Sequence, residues 1–226
     1  GAYGTIITST NGTSWTSSTS GTNVHHLQGV SYGNNTYVVV GGYGKILTSS
    51  DNGINWTSRF GSYEHYKGVT YGNYTFVVVG TYGEILTSTN NGTSWTSSTS
   101  GTNVHLYGVS YGNNTYVVVG GSGEILTSTN NGTTWTSRTS GTNNHLYGVT
   151  YGNGTFVATG YNGTILTSTN NGTTWTSRTS GTTNDLEGVS YGNGLFVSVG
   201  DYGTILASSD GVTWTSKASG YSMSLR

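Results

Sequence analysis

Two columns of side chains in this sequence are equipped for chemistry. His26, His65, His105 and His145 stand three positions before a glycine in successive sequence copies, and Asp185 takes that place in the last. Tyr3, Tyr43, Tyr82 and Tyr202 each precede another glycine, with Ser122 and Asn162 in the remaining copies. Imidazoles beside phenol rings can take a sugar by stacking and hydrogen bonding, and an imidazole nitrogen can also ligate a metal. The plainer role for each histidine is to start a strand and bond its own loop backbone. One histidine per copy sets the imidazoles far apart, which opposes a closed metal shell, so neither a metal nor a cofactor is expected. Glu84 and Glu124 share a third repeat position, held elsewhere by Thr5, Lys45, Thr164 and Thr204. They read as exposed edge residues and not as a paired acid and base, and no catalytic residue is expected.

The composition narrows the function classes further. Among 226 residues there is no Cys, and 7 Lys+Arg face 8 Asp+Glu, so a disulfide scaffold, a cysteine zinc site and a basic nucleic-acid face are all excluded. No apolar run is long enough to span a membrane as a helix. The six tryptophans set a period: Trp15, Trp56, Trp95, Trp135, Trp175 and Trp214 recur at steps of 39 to 41 residues. Periods of this size belong to helical pairs or to propeller blades.

Strands decide between the two. Thr115-Tyr116-Val117-Val118-Val119 is β-branched and aromatic, bounded by Gly and Asn, and Glu124-Ile125-Leu126-Thr127-Ser128 follows after a Gly-Ser-Gly turn. Gly-Asn-Asn and Gly-Asn-Gly between the first two strands tolerate positive φ. Each unit is expected to hold four antiparallel strands, A near 106–111, B at 115–119, C at 124–128 and D at 134–138. Four strands per unit, repeated around an axis, make an all-β propeller, in which stacked blades bury faces that one blade cannot. The expected core is the strand B pairs Val38/Val40, Val77/Val79, Val117/Val119, Val157/Thr159 and Val197/Val199, with Ile46, Ile85, Ile125, Ile165 and Ile205 on strand C.

The corner between C and D carries a motif. Ser49-Ser50-Asp51-Asn52-Gly53-Ile54-Asn55-Trp56 fits S-x-D-x-G-x-x-W, with Asn90, Asn130 and Asn170 replacing the Asp in the next copies. The copies ending at Trp15 and Trp214 are one residue shorter, and the latter contains Asp210. The chain thus resembles the Asp-box (BNR-repeat) β-propellers, and most closely their photosystem II assembly-factor-like subgroup. The resemblance implies a structural box, in which Asp51, Asn90, Asn130, Asn170 or Asp210 shapes the turn and Trp15, Trp56, Trp95, Trp135, Trp175 or Trp214 packs into the blade. Sialidases share the box, but their chemistry asks for three inward arginines, an acid and a Tyr–Glu pair. Here Arg59, Arg138 and Arg178 follow the tryptophan by three on outer strand D, with Lys217 in the same place and Arg226 terminal, which reads as solvated edge charge.

The ends interrupt the repeat. The sequence opens at a B–C turn and its last residues align with the start of a strand A. One domain over 1–226 is expected, with a half blade at 1–19, blades at about 26–59, 65–98, 105–138, 145–178 and 185–217, and a tail 218–226 entering a sixth inner strand. That makes five complete blades and a sixth split between the termini, or a fragment of a longer parent. The alternative is a five-bladed ring with an extra N-terminal hairpin. Open sheet edges could recruit strands from another chain, so self-association is expected.

The function expected is a non-enzymatic binding or interaction scaffold. Its partner is a protein or glycan ligand, not a nucleic acid, and its setting is extracellular or on a cell surface. Lectin activity at several equivalent sites is the alternative, on His26, His65, His105, His145, Asp185, Tyr43, Tyr82 and Tyr202, where the D–A and B–C loops share a face. An assembly factor is a further alternative. Asn-x-Ser/Thr sequons at Asn34, Asn73, Asn113, Asn131, Asn153 and Asn171 fall in turns and suit an exposed, secreted surface.

Overall fold

A computed structural model describes residues 1–23 and 26–225. Arg226, which the sequence reading placed at the end of the tail, lies outside the described residues. The chain begins with a hairpin of β1 (Ile6–Thr8) and β2 (Thr16–Ser18), occupying the C and D positions of a blade. Blade 1 follows as β3 (Leu27–Gly33), β4 (Thr36–Gly41), β5 (Lys45–Ser49) and β6 (Thr57–Phe60). Blade 2 is β7 (Tyr66–Gly72), β8 (Thr75–Gly80), β9 (Ile85–Ser88) and β10 (Thr96–Ser98). Blade 3 is β11 (Leu106–Gly112), β12 (Thr115–Gly120), β13 (Ile125–Ser128) and β14 (Thr136–Arg138). Blade 4 is β15 (Leu146–Gly152), β16 (Thr155–Gly160), β17 (Ile165–Ser168) and β18 (Thr176–Arg178). Blade 5 is β19 (Leu186–Gly192), β20 (Leu195–Gly200), β21 (Ile205–Ser208) and β22 (Thr215–Lys217). Each blade is one antiparallel sheet in sequence order, so the all-β propeller of four-stranded blades stands as expected.

Local chemistry explains the strand ends. The A–B hairpins close over two residues: Gly112 pairs with Thr115 across Asn113 and Asn114, at φ 44 and 58. Both central residues are left-handed, which asparagine and glycine tolerate best. The C–D corner closes on side chains. Ser49 Oγ accepts the Gly53 N–H at 2.9 Å and donates to Asp51 Oδ1 at 2.8 Å. Asp51 also accepts the backbone and side-chain N–H groups of Asn55 at 2.9 and 2.8 Å. In the Asn corners the polarity swaps: Asn90 Nδ2 donates to Ser94 Oγ at 2.8 Å, and Asn130 and Asn170 do the same to Thr134 and Thr174. Asp needs a donor four residues on and Asn can use an acceptor, so both serve one turn. The Asn55 N–H groups hold the Asp51 carboxyl at about 2, and in the shorter corner the Thr213 and Val212 N–H groups hold the Asp210 carboxyl at about 2, well below the ordinary carboxylate value. Trp56 Nε1 then donates to Gly53 O at 3.0 Å, and the same bond recurs at Trp95, Trp135, Trp175 and Trp214.

The core lies between blades. Val38, Val40 and Ile46 of blade 1 pack on Tyr66, Phe76, Val78 and Leu86 of blade 2. The same joint recurs between blades 2 and 3, 3 and 4, and 4 and 5. Each aliphatic side chain so buried contributes roughly 1.5–3 kcal/mol. Polar clasps flank the joint. Asn34, Asn73 and Asn113 donate from Nδ2 to Asn91, Asn131 and Asn171 of the following blade at 2.8 Å. Five sequon asparagines are therefore engaged in holding blades together, Asn34, Asn73 and Asn113 as donors and Asn131 and Asn171 as acceptors.

The joints run in series and then stop. Inner strands β3, β7, β11, β15 and β19 pack each on the next, and no comparable packing joins β19 to β3 or to the β1–β2 hairpin. The hairpin sits on blade 1, with Ile6 against Leu27, Val39 and Leu47. The tail sits on blade 5, where Leu225 N donates to Gly200 O at 3.0 Å and Gly203 N donates to Met223 O at 2.8 Å. The sixth position thus has a C–D pair on one side and the start of a strand A on the other. Among the described residues, β19 does not pack on β3 as the other inner strands pack on one another. One expectation about the core needs correction for the same reason: Val197, Val199 and Ile205 are only half-buried, because no following blade covers them.

Candidate functional site

The B–C turns present one loop face. In blade 2 the turn Thr81–Gly83 lifts Tyr82 to φ 53, ψ 33, and Tyr3, Tyr43 and Tyr202 take φ 52 to 55 at the same place. The following glycine is forced: a Cβ on Gly83, at φ 74, would lie 2.0 Å from Thr102 O of the loop entering the next blade. That close approach seats each turn on its neighbour's D–A loop. It leaves the tyrosines projecting, with Tyr43 61%, Tyr82 66% and Tyr202 74% exposed.

The histidine column is what the turns are tied to. Tyr82 N–H donates to His105 Nδ1 at 3.1 Å, and Ser122 N–H donates to His145 Nδ1 at 3.0 Å. Asn162 N–H donates to Asp185 Oδ1 at 2.9 Å, so the carboxylate serves where imidazole is replaced. Each acceptor therefore belongs to the blade after the donor. The sequence reading had offered bonding within the residue's own loop, and the structure shows a clasp to a neighbour's turn. Nδ1 accepts the hydrogen bond in both, so its lone pair faces the neighbouring turn. Tyr and His come together across the joints: the Tyr43 and His65 rings lie 4.8 Å apart, and those of Tyr82 and His105 lie 5.0 Å apart edge to face. His26 is bridged through its backbone to Ala2 at the edge of the N-terminal hairpin. The blades hold the His residues apart in separate joints, one per joint.

Two aromatic residues of this face were missed. Tyr107 and Tyr147 follow His105 and His145 by two. Their rings meet at 5.6 Å edge to face, and Tyr107 also lies 6.3 Å from the His145 ring. The signal was the repeat itself, which sets a tyrosine two after His105 and two after His145, at the β-bulges between Leu106 and Gly108 and between Leu146 and Gly148. Burial, together with the Asp185 and Glu187 carboxylates nearby, pushes the Tyr147 hydroxyl up to about 12. Asp185, Glu187 and Asp201 form the one acidic trio of metal-ligand spacing among the described residues, with oxygens within 4.8 Å of one another. Asp185 accepts from the Asn162 N–H at 2.9 Å and Asp201 from Ser224 Oγ at 2.6 Å.

Strand D departs from the sequence reading. Arg138 Nε donates to Thr127 Oγ1 at 2.9 Å and Arg178 Nε to Thr167 Oγ1 at 2.8 Å, and Arg59 Nε is buried with no partner. These side chains fold back across strand C and are half-buried, whereas the sequence suggested solvated edge charges. Only Lys217 of that column is exposed. Glu124 Oε1 accepts from Ser137 Oγ at 2.8 Å. Burial raises the Glu84 carboxyl above its ordinary value, with help from the charge of Glu64.

Comparison with known proteins places this geometry. Residues 57–187, more than half of the chain, match the DUF6242 β-propeller domain. The chain belongs to that family. Among solved structures, YCF48 bound to D1 peptide superimposes with a TM-score of 0.72 at 19% identity, over 96% of this chain and 75% of that one. YCF48 from Cyanidioschyzon merolae superimposes with a TM-score of 0.73 at 16% identity, over 98% of this chain and 80% of that one. The DUF6242 chain thus shares the β-propeller fold of both YCF48 structures. No curated protein matches it. No helix of the described residues is long and apolar enough to cross a membrane.

Proposed function

We propose that the chain is a non-enzymatic scaffold that binds an extended polypeptide segment across the face bearing Tyr43, Tyr82 and Tyr202. The observation that carries this reading is the conformation of those tyrosines. A bulky L-residue at positive φ costs on the order of 1–2 kcal/mol, and Asn162 occupies the same turn at φ 54 with less strain. Strain kept in exposed aromatics on a clasped frame is characteristic of recognition surfaces. Phenol rings give flat contact area with few rotors and a polar tip. The low charge of the chain favours contacts by stacking and hydrogen bonding over ion pairing. The solved YCF48 complex carries a D1 peptide, which supports a polypeptide ligand for a propeller of this shape.

A glycan is the second reading, favoured by the Tyr–His pairs, whose rings and nitrogens suit a sugar face. An extracellular or cell-surface setting belongs to the same proposal and is favoured by the Ser/Thr/Asn/Gly-rich surface. One experiment separates the ligands: display selection of peptides and a glycan array, each run on the intact chain and on the Tyr43→Ser/Tyr82→Ser/Tyr202→Ser variant. Peptides that enrich on the intact chain and not on the variant support the proposal. Sugars behaving so would replace peptide by glycan. Enrichment that ignores the three tyrosines refutes both.

A further inference from the structure

We propose that the loop joining blades 1 and 2 anchors the bound polypeptide, and that it takes an apolar side chain with an acidic neighbour. The inference rests on the polypeptide reading and assigns the chemistry which that segment must carry. One D–A loop breaks the repeat. From Trp56 to His65 is nine positions, whereas Trp95 to His105, Trp135 to His145 and Trp175 to Asp185 are each ten. Phe60-Gly61-Ser62-Tyr63 stands where those three copies read Thr-Ser-Gly-Thr. The altered loop is built on a residue of its own. Tyr66 replaces the leucine of Leu106, Leu146 and Leu186 and is fully buried. Its hydroxyl accepts the Ser62 N–H at 2.7 Å, and Thr81 Oγ1 donates to Glu64 Oε2 at 2.6 Å. Gly61 is required, because a Cβ there would lie 2.1 Å from the Tyr66 hydroxyl oxygen.

The loop is thus pinned at Ser62 and Glu64, and Tyr63 between them is 85% exposed. Phe60 is 60% exposed and meets the Tyr63 ring edge to face at 5.2 Å. Phe60 also reaches the B–C turn, where a Cβ on Gly44 would lie 3.3 Å from its Cε2, next to Tyr43. Tyr63, Phe60 and Tyr43 therefore form one exposed aromatic row, continuous with the tyrosine face. Neither Phe60 nor Tyr63 packs in the core between blades. Uncovered aromatic rings on a clamped loop have the character of interface hot spots. The neighbouring charge selects the partner. Lys45 is the cross-strand partner of Phe60, so the two side chains share a face. Its ammonium donates to Ser58 Oγ at 3.1 Å. The same position is Glu84 in blade 2, Glu124 in blade 3 and threonine in blades 4 and 5, so blade 1 alone sets a cation there. A carboxylate beside an apolar side chain is the complement of Lys45 beside Phe60 and Tyr63.

The test selects peptides by display on the intact chain and measures their affinities for it and for two variants. The selected peptides are expected to share an apolar residue beside Asp or Glu. Phe60→Thr/Tyr63→Thr copies the other loops. It is expected to keep the urea midpoint and to weaken the peptides at least about tenfold. Lys45→Glu copies blades 2 and 3. It is expected to weaken the same peptides at least about threefold, with recovery when their acidic residue is changed to lysine. Peptides that need Tyr82 and Tyr202 but bind both variants as they bind the intact chain would overturn the anchor and leave the polypeptide reading standing. Enrichment of no peptide at all would overturn the reading and the anchor together. A urea midpoint that falls in step with binding would make the two rings structural and overturn the anchor. Dimers of the chain that Phe60→Thr/Tyr63→Thr dissolves would overturn the occupant in favour of a second copy.

Discussion

Gly112 and Gly192 occupy one repeat position in two blades, and the fold asks opposite things of them. A methyl group at Gly112 would lie 2.1 Å from Tyr151 Cγ and 2.2 Å from Cδ1, where ordinary carbon contacts are about 3.5–4.0 Å. The ring cannot simply move away, because it packs against Phe156 with centroids 4.7 Å apart. Overpacking of this kind costs about 1–3 kcal/mol. At Gly192 the same methyl group meets nothing within 4 Å. Replacing glycine by alanine inside a strand itself stabilises by about 0.5–1 kcal/mol, at both sites alike. Gly192→Ala is therefore expected to be neutral or slightly stabilising, and Gly112→Ala to fall below it by about 1–3 kcal/mol. For a chain of this length that is roughly 2–12 °C in Tm. Urea midpoints at constant m, with calorimetry beside them, provide the comparison. If Gly192→Ala loses as much as Gly112→Ala, then side-chain crowding does not set the cost of these substitutions and the reasoning fails.

The clasp between blades predicts that His145→Ala loses about 0.5–1.5 kcal/mol by urea unfolding, because the Ser122 N–H loses its acceptor. His145→Asp should retain most of it, as Asp185 serves that role in blade 5. Acid should weaken the Asp corners and spare the Asn corners. The folded-state values of Asp51 and Asp210 are lowered to about 2, so their stabilisation is full above the ordinary value of 3.8 and is lost as pH falls through about 2. The double variant Asp51→Asn/Asn55→Thr, which copies the Asn–Thr corners, should flatten that part of the pH–stability curve; an unchanged curve would count against the assignment. Tyr82→Gly should leave stability unchanged or raise it by up to about 1 kcal/mol, since it relieves a left-handed side chain. The same variant should reduce capture of peptides selected on the intact chain, and a loss of stability in parallel would make Tyr82 a structural residue.

Much of the candidate face was visible residue by residue, and its wiring was not. The His column and the Tyr-Gly turns stand out because repetition marks them. That His105 accepts from Tyr82 of the blade before could not be read, since the two are 23 positions apart and meet only across a joint. The sequons illustrate the same limit: Asn34 reads as a free turn amide until Asn91 is found beside it. Arg138 reads as an edge charge until the register opposite Ile125 brings its side chain over Thr127. Tyr107 was legible through the repeat, since Tyr147 stands in the same place after the next histidine.

Sequence alone determined the period, the four strands of each unit and the turn chemistry. These depend on residues within a few positions of one another: Asn113-Asn114 for a left-handed turn, Ser49 and Asp51 for a corner, a run of valines for a strand buried on both faces. Tertiary structure decided which blade each face meets and where the series stops. Val30 and Val69 each follow a glycine and precede a hydroxyl residue and a tyrosine, yet one is 64% exposed and the other 9%. The difference lies in whether a sheet from elsewhere in the chain covers the valine, and burial between blades is set by that distant partner, not by local propensity.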